Sequence, residues 1–415
     1  MCFFLLISLK SNFKTSLFVL HILKFAVGIL FCLQIDFMND FDPSSFEAYL
    51  LGPKTFIFFL PNFSQGGAAE SISKLMIYLA KKKYECVLIC LNKCFYKKQL
   101  TKYDIKIFEI FSNKTLFSML KIRGLINSFI IHKKKITLIS NINYANILSI
   151  IFFRSLKNLK IILYERTPIQ ELDFDYGSFY RKIKNKTIKF LMFLTYRFSD
   201  KIIANSKTTS FDLSKLTKQK VITIYSKSIK KIKPFKKKFK NKINILWIGR
   251  FSKEKSLDTL IDAIKIINDD EIKVFILSND INKRDYLKKI NKLKLTKRFV
   301  FCGYKKNLTK YFNSTNLYIS TSLYESFPNS VIQAINNSLP IITSKSFGGI
   351  NEIIQNNFSG VFFETNNSKA LSQKILNFKK NKKKYENFAL NAHNALNKFS
   401  FDRIEKDFEN ELLNL

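Results

Sequence analysis

The stretch "SLYESFPNSVIQAINNSLPIITSKSFGGINEI", residues 322–353, decides how the chain is read. The preceding "NLYISTS" is a short apolar strand, and "LYESF" is the loop that leaves it. Pro328 suits a first helical position, where its missing N–H costs nothing. Val331, Ile332 and Ile335 then share one helix face, and Pro340 stops the helix before the strand "PIITS". Glu325 is thereby placed in a strand-to-helix loop, beside the positive end of a helix dipole. A carboxylate there accepts hydrogen bonds from hydroxyl groups; an ordinary helix-end acid is the competing reading. Gln333 follows eight residues on, roughly 12 Å along the axis. Gly348 and Gly349 stand just before a further helix start, which carries a second acid, Glu352.

The same unit of short apolar strand, loop and amphipathic helix recurs along the chain. "TFIFFLP", "CVLICL", "IKIFEI", "ITLIS", "KIILYE" and "KIIANS" read as strands, with helical stretches between several of them and the longest over 179–197. After "KSIKKIKPFKKKFKNK" the alternation restarts with "INILWIG", "IKVFIL", "FVFCG", "NLYIST", "PIITS" and "GVFFE". Near-continuously apolar strands alternating with helices imply parallel sheets covered on both faces. The expected fold class is α/β with two doubly wound domains, 54–226 and 243–390. A basic linker over 227–242 joins them, and a C-terminal helical segment follows over 391–415. Ligands of such sheets bind beyond the carboxyl ends of the strands, so the two domains would face a shared cleft.

Three further motifs fall at that cleft. Gly66 and Gly67 in "PNFSQGGAAES" let a backbone approach a ligand closely at a helix N-terminus; tight-turn geometry alone explains such a pair equally well. Arg250 ends "INILWIGR" and Lys255 stands five residues on, before a helix. Two fixed cations there can neutralise a pyrophosphate, or can be two solvated charges among many. Glu165 and Arg166 in "LYERTP" follow a first-domain strand and either meet a second substrate or form a surface ion pair. The three His, at 21, 132 and 393, lie in no motif. "DFD" at 173–175 is a loop in the first domain, so no metal site is expected. Cys86, Cys90 and Cys94 match neither a zinc pattern nor a disulfide framework and read as buried thiols in a reducing compartment.

"GRFSKEKSLDTLIDA", "YESFPNSVIQAINNSLPIITS" and "GGINEII" together resemble the donor-binding signature of the retaining glycosyltransferases of family 4, which have the GT-B fold. "GGAAES" and "FSDKIIANSKTTSFDL" resemble parts of that family's first domain, so the resemblance runs from about residue 54 to the C-terminus. It implies two Rossmann-like domains and transfer of a sugar from a nucleotide diphosphate sugar to a hydroxyl of a glycan or lipid-linked acceptor. Retention at the anomeric carbon, no metal and no cofactor are implied with it. It gives catalytic roles to Glu325, at the transferred sugar, and to Arg250 and Lys255, at the diphosphate. Gly66, Gly67, Ser326, Phe327 and Gln333 complete the implied donor site, and Glu165 and Arg166 the acceptor side. The chain departs from the family where Gln333 replaces the acid that contacts the ribose, and where Ser256 and Ser326 replace glycines. Gln can still hydrogen-bond two hydroxyls, with one charge fewer. A nucleotide-sugar-binding subunit that has lost catalysis is the alternative expectation.

At 415 residues and 47% hydrophobic content the chain can bury a large core, which excludes disorder. Lys and Arg number 70 against 31 Asp and Glu, a formal charge of +39. That excess attracts polyanions, an anionic membrane surface among them; compositional drift in a chain rich in Lys, Asn, Ile and Phe gives the same balance. No segment has the aromatic, Gly-punctuated pattern of an RNA-recognition motif, so no specific nucleic-acid partner is expected. Residues 16–35 are apolar over a bilayer-spanning length, but Lys24 near the middle costs ~3 kcal/mol on insertion. The flanking charges would also export the nucleotide chemistry from the cytosol. Residues 1–37 are therefore read as an upstream extension before a functional start at Met38, with an anchor or signal-like segment as alternatives. The expected location is cytoplasmic, peripheral on the cytoplasmic face of the membrane.

Overall fold

The computed structural model describes residues 54–414, apart from 113, 133–135, 175, 227–228, 230, 237–241 and 279–282. The apolar segment 16–35 and Met38 lie outside the described residues. The first sheet has seven parallel strands: β1 (Thr55–Phe59), β2 (Glu85–Cys90), β3 (Lys106–Glu109), β4 (Ile136–Asn141), β5 (Leu159–Glu165), β6 (Lys201–Ala204) and β7 (Val221–Thr223). Their order is β3-β2-β1-β4-β5-β6-β7. The chain thus winds outward one way from β1, returns, and winds the other way from β4. That reversal opens a crevice at the carboxyl ends of β1 and β4.

The second sheet repeats the plan with six strands. They are β8 (Ile243–Ile248), β9 (Ile272–Leu277), β10 (Phe299–Phe301), β11 (Leu317–Ser320), β13 (Ile341–Ser344) and β15 (Val361–Phe363), in the order β10-β9-β8-β11-β13-β15. Here the reversal lies between β8 and β11. A separate two-stranded ribbon pairs β12 (Tyr324–Glu325) with β14 (Phe347–Gly348). This architecture is the expected pair of doubly wound Rossmann-like domains. The sequence reading missed three strands, β7, β12 and β14, each of which spans only two or three residues.

The strands are buried because helices cover both faces. Helix α1 (Gly67–Lys81) turns Ile72, Leu75, Met76 and Leu79 into the first core. Helix α3 (Leu257–Ile267) turns Leu257, Leu260, Ile261 and Ile264 into the second, beside the fully buried Trp247. Helix α2 (Lys207–Thr217) follows β6, and helix α4 (Asn329–Asn336) follows β12. Cys86, Cys90 and Cys94 are buried free thiols on or just after β2, and burial pushes the Cys90 thiol up to about 12.

The C-terminal helix, α5 (Phe401–Leu413), does not stay with the second sheet. Ile404, Phe408 and Leu412 complete the hydrophobic cluster of the first sheet, and Phe408 lies 5.7 Å from the Tyr164 ring. Lys54 Nζ donates to the Leu413 carbonyl at 3.0 Å, so the two ends of the described chain meet. The described part of the basic linker is also docked. Lys233 N donates to Asn336 Oδ1 and Lys236 N to Ser338 Oγ, both at 3.0 Å, at the end of α4. Asn336 Nδ2 returns a bond to the Lys231 carbonyl. Among the described residues no helix is long and apolar enough to cross a membrane.

The return of α5 makes the chain end part of the first core. Phe408→Ala is expected to cost about 3–5 kcal/mol, read as a lowered urea midpoint, whereas Lys406→Ala on the exposed side is expected to change it little.

Candidate functional site

The two crevices meet along one cleft. On the first-sheet side Gly67 opens α1, and a Cβ placed on it would lie 3.6 Å from Asn329 Nδ2. Asn329 is the first residue of α4, so two helix N-termini approach each other across the cleft. Gly66 has an extended backbone (φ 170°) and open space at its Cβ, so neither steric room nor a left-handed conformation demands glycine there. Asn141 ends β4 and donates to the Phe59 carbonyl at the end of β1, spanning the crevice. Arg166 Nε donates to Asn141 Oδ1 at 2.9 Å.

Glu165 and Arg166 are not a surface ion pair. Both are buried. Glu165 accepts from the Thr167 hydroxyl, the Tyr196 hydroxyl and the Arg166 amide. Burial pushes its carboxyl up, and those bonds draw it part of the way back. The Arg166 guanidinium stacks on Tyr164 at 4.0 Å, and burial lowers its pKa. The pair sits at the end of β5 as a buried polar wall beneath the cleft.

On the second-sheet side one of the two expected cations meets the acid. Lys255 Nζ bonds Glu325 Oε1, and Ser322 Oγ donates to the same oxygen at 2.9 Å. A short relay fixes the loop that carries Lys255. Trp247 Nε1 donates to Thr321 Oγ1 at 3.0 Å, and that hydroxyl donates to the Lys255 carbonyl at 2.6 Å. Lys255 therefore crosses the reversal from the end of β8 to the loop after β11. Arg250 stands apart from this pair, with its side chain 72% exposed, and bonds Glu254 at 2.9 Å. Burial pushes the Glu254 carboxyl up, but Ser252, its own amide, Arg250 and Lys255 outweigh burial and hold it below the ordinary range. Gln333 is half-buried on α4.

The glycines at 348 and 349 are fixed by contact. Gly348 has φ +107°, and a Cβ on it would fall 1.9 Å from the Glu325 carbonyl oxygen. A Cβ on Gly349 would meet the Ser326 carbonyl at 2.5 Å and Ser206 Cβ at 2.9 Å. The Gly349 amide instead bonds both carbonyls at 3.0 Å. The backbone that carries Glu325 is thus clamped from the side by two residues that have no side chain.

The serines that replace family glycines each have a defined place. Ser256 keeps a left-handed backbone, φ +44°, and its hydroxyl is held by Asn366 Oδ1 and Thr259 Oγ1. Ser326 is buried, donating to Asn205 Oδ1 and bonding Thr209 Oγ1 from the first-sheet side. Phe327 is buried against Tyr225 and Phe399 at 5.2 and 5.5 Å. The Ser326 and Phe327 side chains therefore join the two sheets' domains.

Two acids outside the expected set complete the picture. Glu352 accepts from the amides of Lys207 and Thr208 and from the Thr208 hydroxyl at 2.9–3.0 Å. It caps the first turn of α2 from the opposite domain, where the helix dipole favours a negative charge. Glu171, after β5, is pushed up by burial and by the nearby Glu254, while Arg181 and Arg250 pull it down. No local pattern marked either acid as a cross-domain partner; the Ser-Lys-Thr-Thr helix start at 206–209 was the one available signal for Glu352. Among the described residues no three His, Cys, Asp or Glu side chains are grouped as a metal site.

Residues 228–395 match the family model described as glycosyl transferases group 1. An uncharacterized glycosyltransferase of Methanocaldococcus jannaschii, MJ1059, is 27% identical over 299 residues, covering 66% of this chain and 72% of that one. The N-acetylgalactosamine-N,N'-diacetylbacillosaminyl-diphospho-undecaprenol 4-alpha-N-acetylgalactosaminyltransferase of Campylobacter jejuni is 27% identical over 230 residues, 52% of this chain and 61% of that one. Among solved structures, Anabaena Alr3699/HepE in complex with UDP-glucose superposes with a TM-score of 0.69 at 17% identity, covering 87% of this chain and 100% of that one. Residues 228–395 are thus a glycosyl transferases group 1 domain, the two-domain architecture is the GT-B fold, and the matched relatives support a glycosyltransferase.

The clamp makes a sharp prediction. Gly348→Ala combines a strained backbone with a clash against main chain, and is expected to cost roughly 3 kcal/mol or more. The readout is Tm by scanning calorimetry. Gly66→Ala, with open space and an extended backbone, is expected to leave Tm unchanged.

Proposed function

We propose that the chain transfers a sugar, with retention and without a metal, from a nucleotide diphosphate sugar to a hydroxyl of a glycan or lipid-linked acceptor. The observation that carries this reading is the Lys255–Glu325 pair at the reversal of the second sheet, beside the N-terminus of α4. A diphosphate entering there would draw Lys255 from Glu325 and engage Arg250, which needs little rearrangement because it is already exposed. The cations and the free amides of the helix end stabilise the charge that develops on the leaving diphosphate. Glu325, released from Lys255 and still held by Ser322, accepts from hydroxyls of the sugar being transferred. Gln333 lies on the same helix and bonds the ribose in place of the family's acid. Gly67 closes the donor pocket from the first-sheet side, and the crevice above Arg166 and Glu165 receives the acceptor.

Support for the donor class comes from HepE, whose structures hold UDP, UDP with glucose, and UDP-glucose. Support for a lipid-linked acceptor comes from the Campylobacter relative, whose name specifies a diphospho-undecaprenol substrate. We place the protein in cell-surface polysaccharide or lipopolysaccharide synthesis, peripheral on the cytoplasmic face of the membrane. The absent acid at 333 favours a second reading, a binding subunit without turnover.

A thermal-shift panel with UDP, GDP, ADP and CMP, each with and without EDTA, tests the proposal. A ligand that binds only the folded state raises Tm. One nucleoside diphosphate is expected to do so in EDTA, and Arg250→Ala is expected to weaken it by roughly 10-fold to 100-fold. A selective shift with no release of nucleotide from its sugar derivative would favour the binding subunit. No shift with any nucleotide would overturn the donor site.

A further inference from the structure

The helix Phe179–Thr195 packs against the helices Asn143–Phe153 and Lys207–Thr217 with a narrow inner face, burying only Asn185, Met192 and Thr195. Its outer face is unusual. Phe179 is 77% exposed, Phe190 60% and Phe193 40%, and Phe198 just beyond the helix is 48% exposed. Lys182, Lys186 and Arg197 are exposed on the same side. At 100° per residue, Phe179, Lys182, Lys186, Phe190 and Phe193 fall on one line about 80° wide and roughly 21 Å long. Single exposed apolar residues are ordinary on a protein surface. Three phenylalanines aligned with cations, with no acid anywhere from residue 176 to 199, are not. Lys189, off this line, is turned aside to Asp173.

The N-terminal end of this line abuts the cleft. Tyr176 OH lies 3.3 Å from Tyr324 OH, and Phe174 packs at 5.1 Å from the Tyr324 ring. Tyr324 is the neighbour of Glu325. A surface that touched the line along its length would therefore run up to the rim of the site.

We propose that this helix face docks on an anionic lipid surface. Phe179, Phe190 and Phe193 enter the boundary between headgroups and acyl chains, and Lys182, Lys186 and Arg197 meet the headgroup phosphates. The line is convex and straight, which suits a deformable plane better than a preformed protein groove. Its charge is complementary to anionic lipid, since basic residues at the surface are drawn to an anionic leaflet while bulky apolar side chains beside them enter the headgroup–acyl boundary. That the cleft thereby faces acceptors carried in the lipid rests on the function proposed above; the docking itself does not.

The test uses the full chain with vesicles of phosphatidylcholine, or of equal parts phosphatidylcholine and phosphatidylglycerol, without nucleotide. Phe190→Trp is expected to give a blue-shifted emission on the anionic vesicles, quenched by brominated acyl chains; the native Trp247 is buried and serves as a constant background. In sedimentation, Phe190→Ser with Phe193→Ser is expected to lower partitioning at least ~10-fold. Lys182→Gln and Lys186→Gln are each expected to lower it roughly 5-fold at low salt. An unshifted emission from the Phe190→Trp variant, or equal sedimentation of variants and wild type, would overturn the proposal. So would an equal response of the Phe190→Trp variant to polyuridylate, which would assign the face to nucleic acid. Nucleotide-induced shifts measured on the same variants separate the two ideas. Vesicle docking without any nucleotide shift keeps the surface and loses the donor site, and the reverse loses only the surface.

Discussion

Everything at the site depends on how closely one backbone passes another. The carbonyls of Glu325 and Ser326 are met by the Gly349 amide, and Gly348 lies where a β-carbon would overlap the Glu325 carbonyl. This contact fixes the main chain of Glu325 independently of the helix that follows it. It also fixes Ser326 and Phe327 in the orientation that reaches across to Asn205, Thr209 and Tyr225. Through the few residues after Gly349 it sets Glu352 on the first turn of α2. One steric constraint thus orients the acid at the cleft and joins the two sheets' domains.

The charges at the cleft are arranged as exchangeable pairs. Lys255 holds Glu325 and Arg250 holds Glu254, so each cation has a carboxylate partner in the unliganded protein. For Lys255 and Glu325, which are largely buried, such pairing lowers the cost of keeping the charges there, where an isolated charge is expensive. On the proposed function the same carboxylates become useful when an anionic ligand takes the cations, because Glu325 is then free to accept from hydroxyls. The helix ends of α1 and α4 add fixed partial charges that need no reorganisation during the reaction.

Much of this was legible in the sequence. Short apolar runs announced every strand of the two sheets except β7. The site stretch showed its strand, loop and helix through Pro328, Pro340 and the apolar face between them. What the sequence hid is long-range. The ribbon of β12 and β14 has two residues per strand, too few for periodicity to register. The amphipathic C-terminal helix displayed its face but not its partner, which lies more than three hundred residues earlier. For Glu165 and Arg166 the sequence left a surface ion pair and a place at the second substrate equally open; only Asn141 and Tyr196, brought in by the fold, remove the surface pair. Ser256 and Ser326 read as losses against the family pattern. In the structure each hydroxyl has partners, one within the second domain and one across the interface.

The most direct test of the account is a crystal structure of the chain with an intact nucleotide diphosphate sugar. In that complex Lys255 is expected to leave Glu325 for a phosphate oxygen, Arg250 to turn from Glu254 to the same diphosphate, and Glu325 to accept from a sugar hydroxyl with the Gly348–Gly349 clamp unchanged. A bound donor that leaves the Lys255–Glu325 pair intact and lies away from α4 would contradict it.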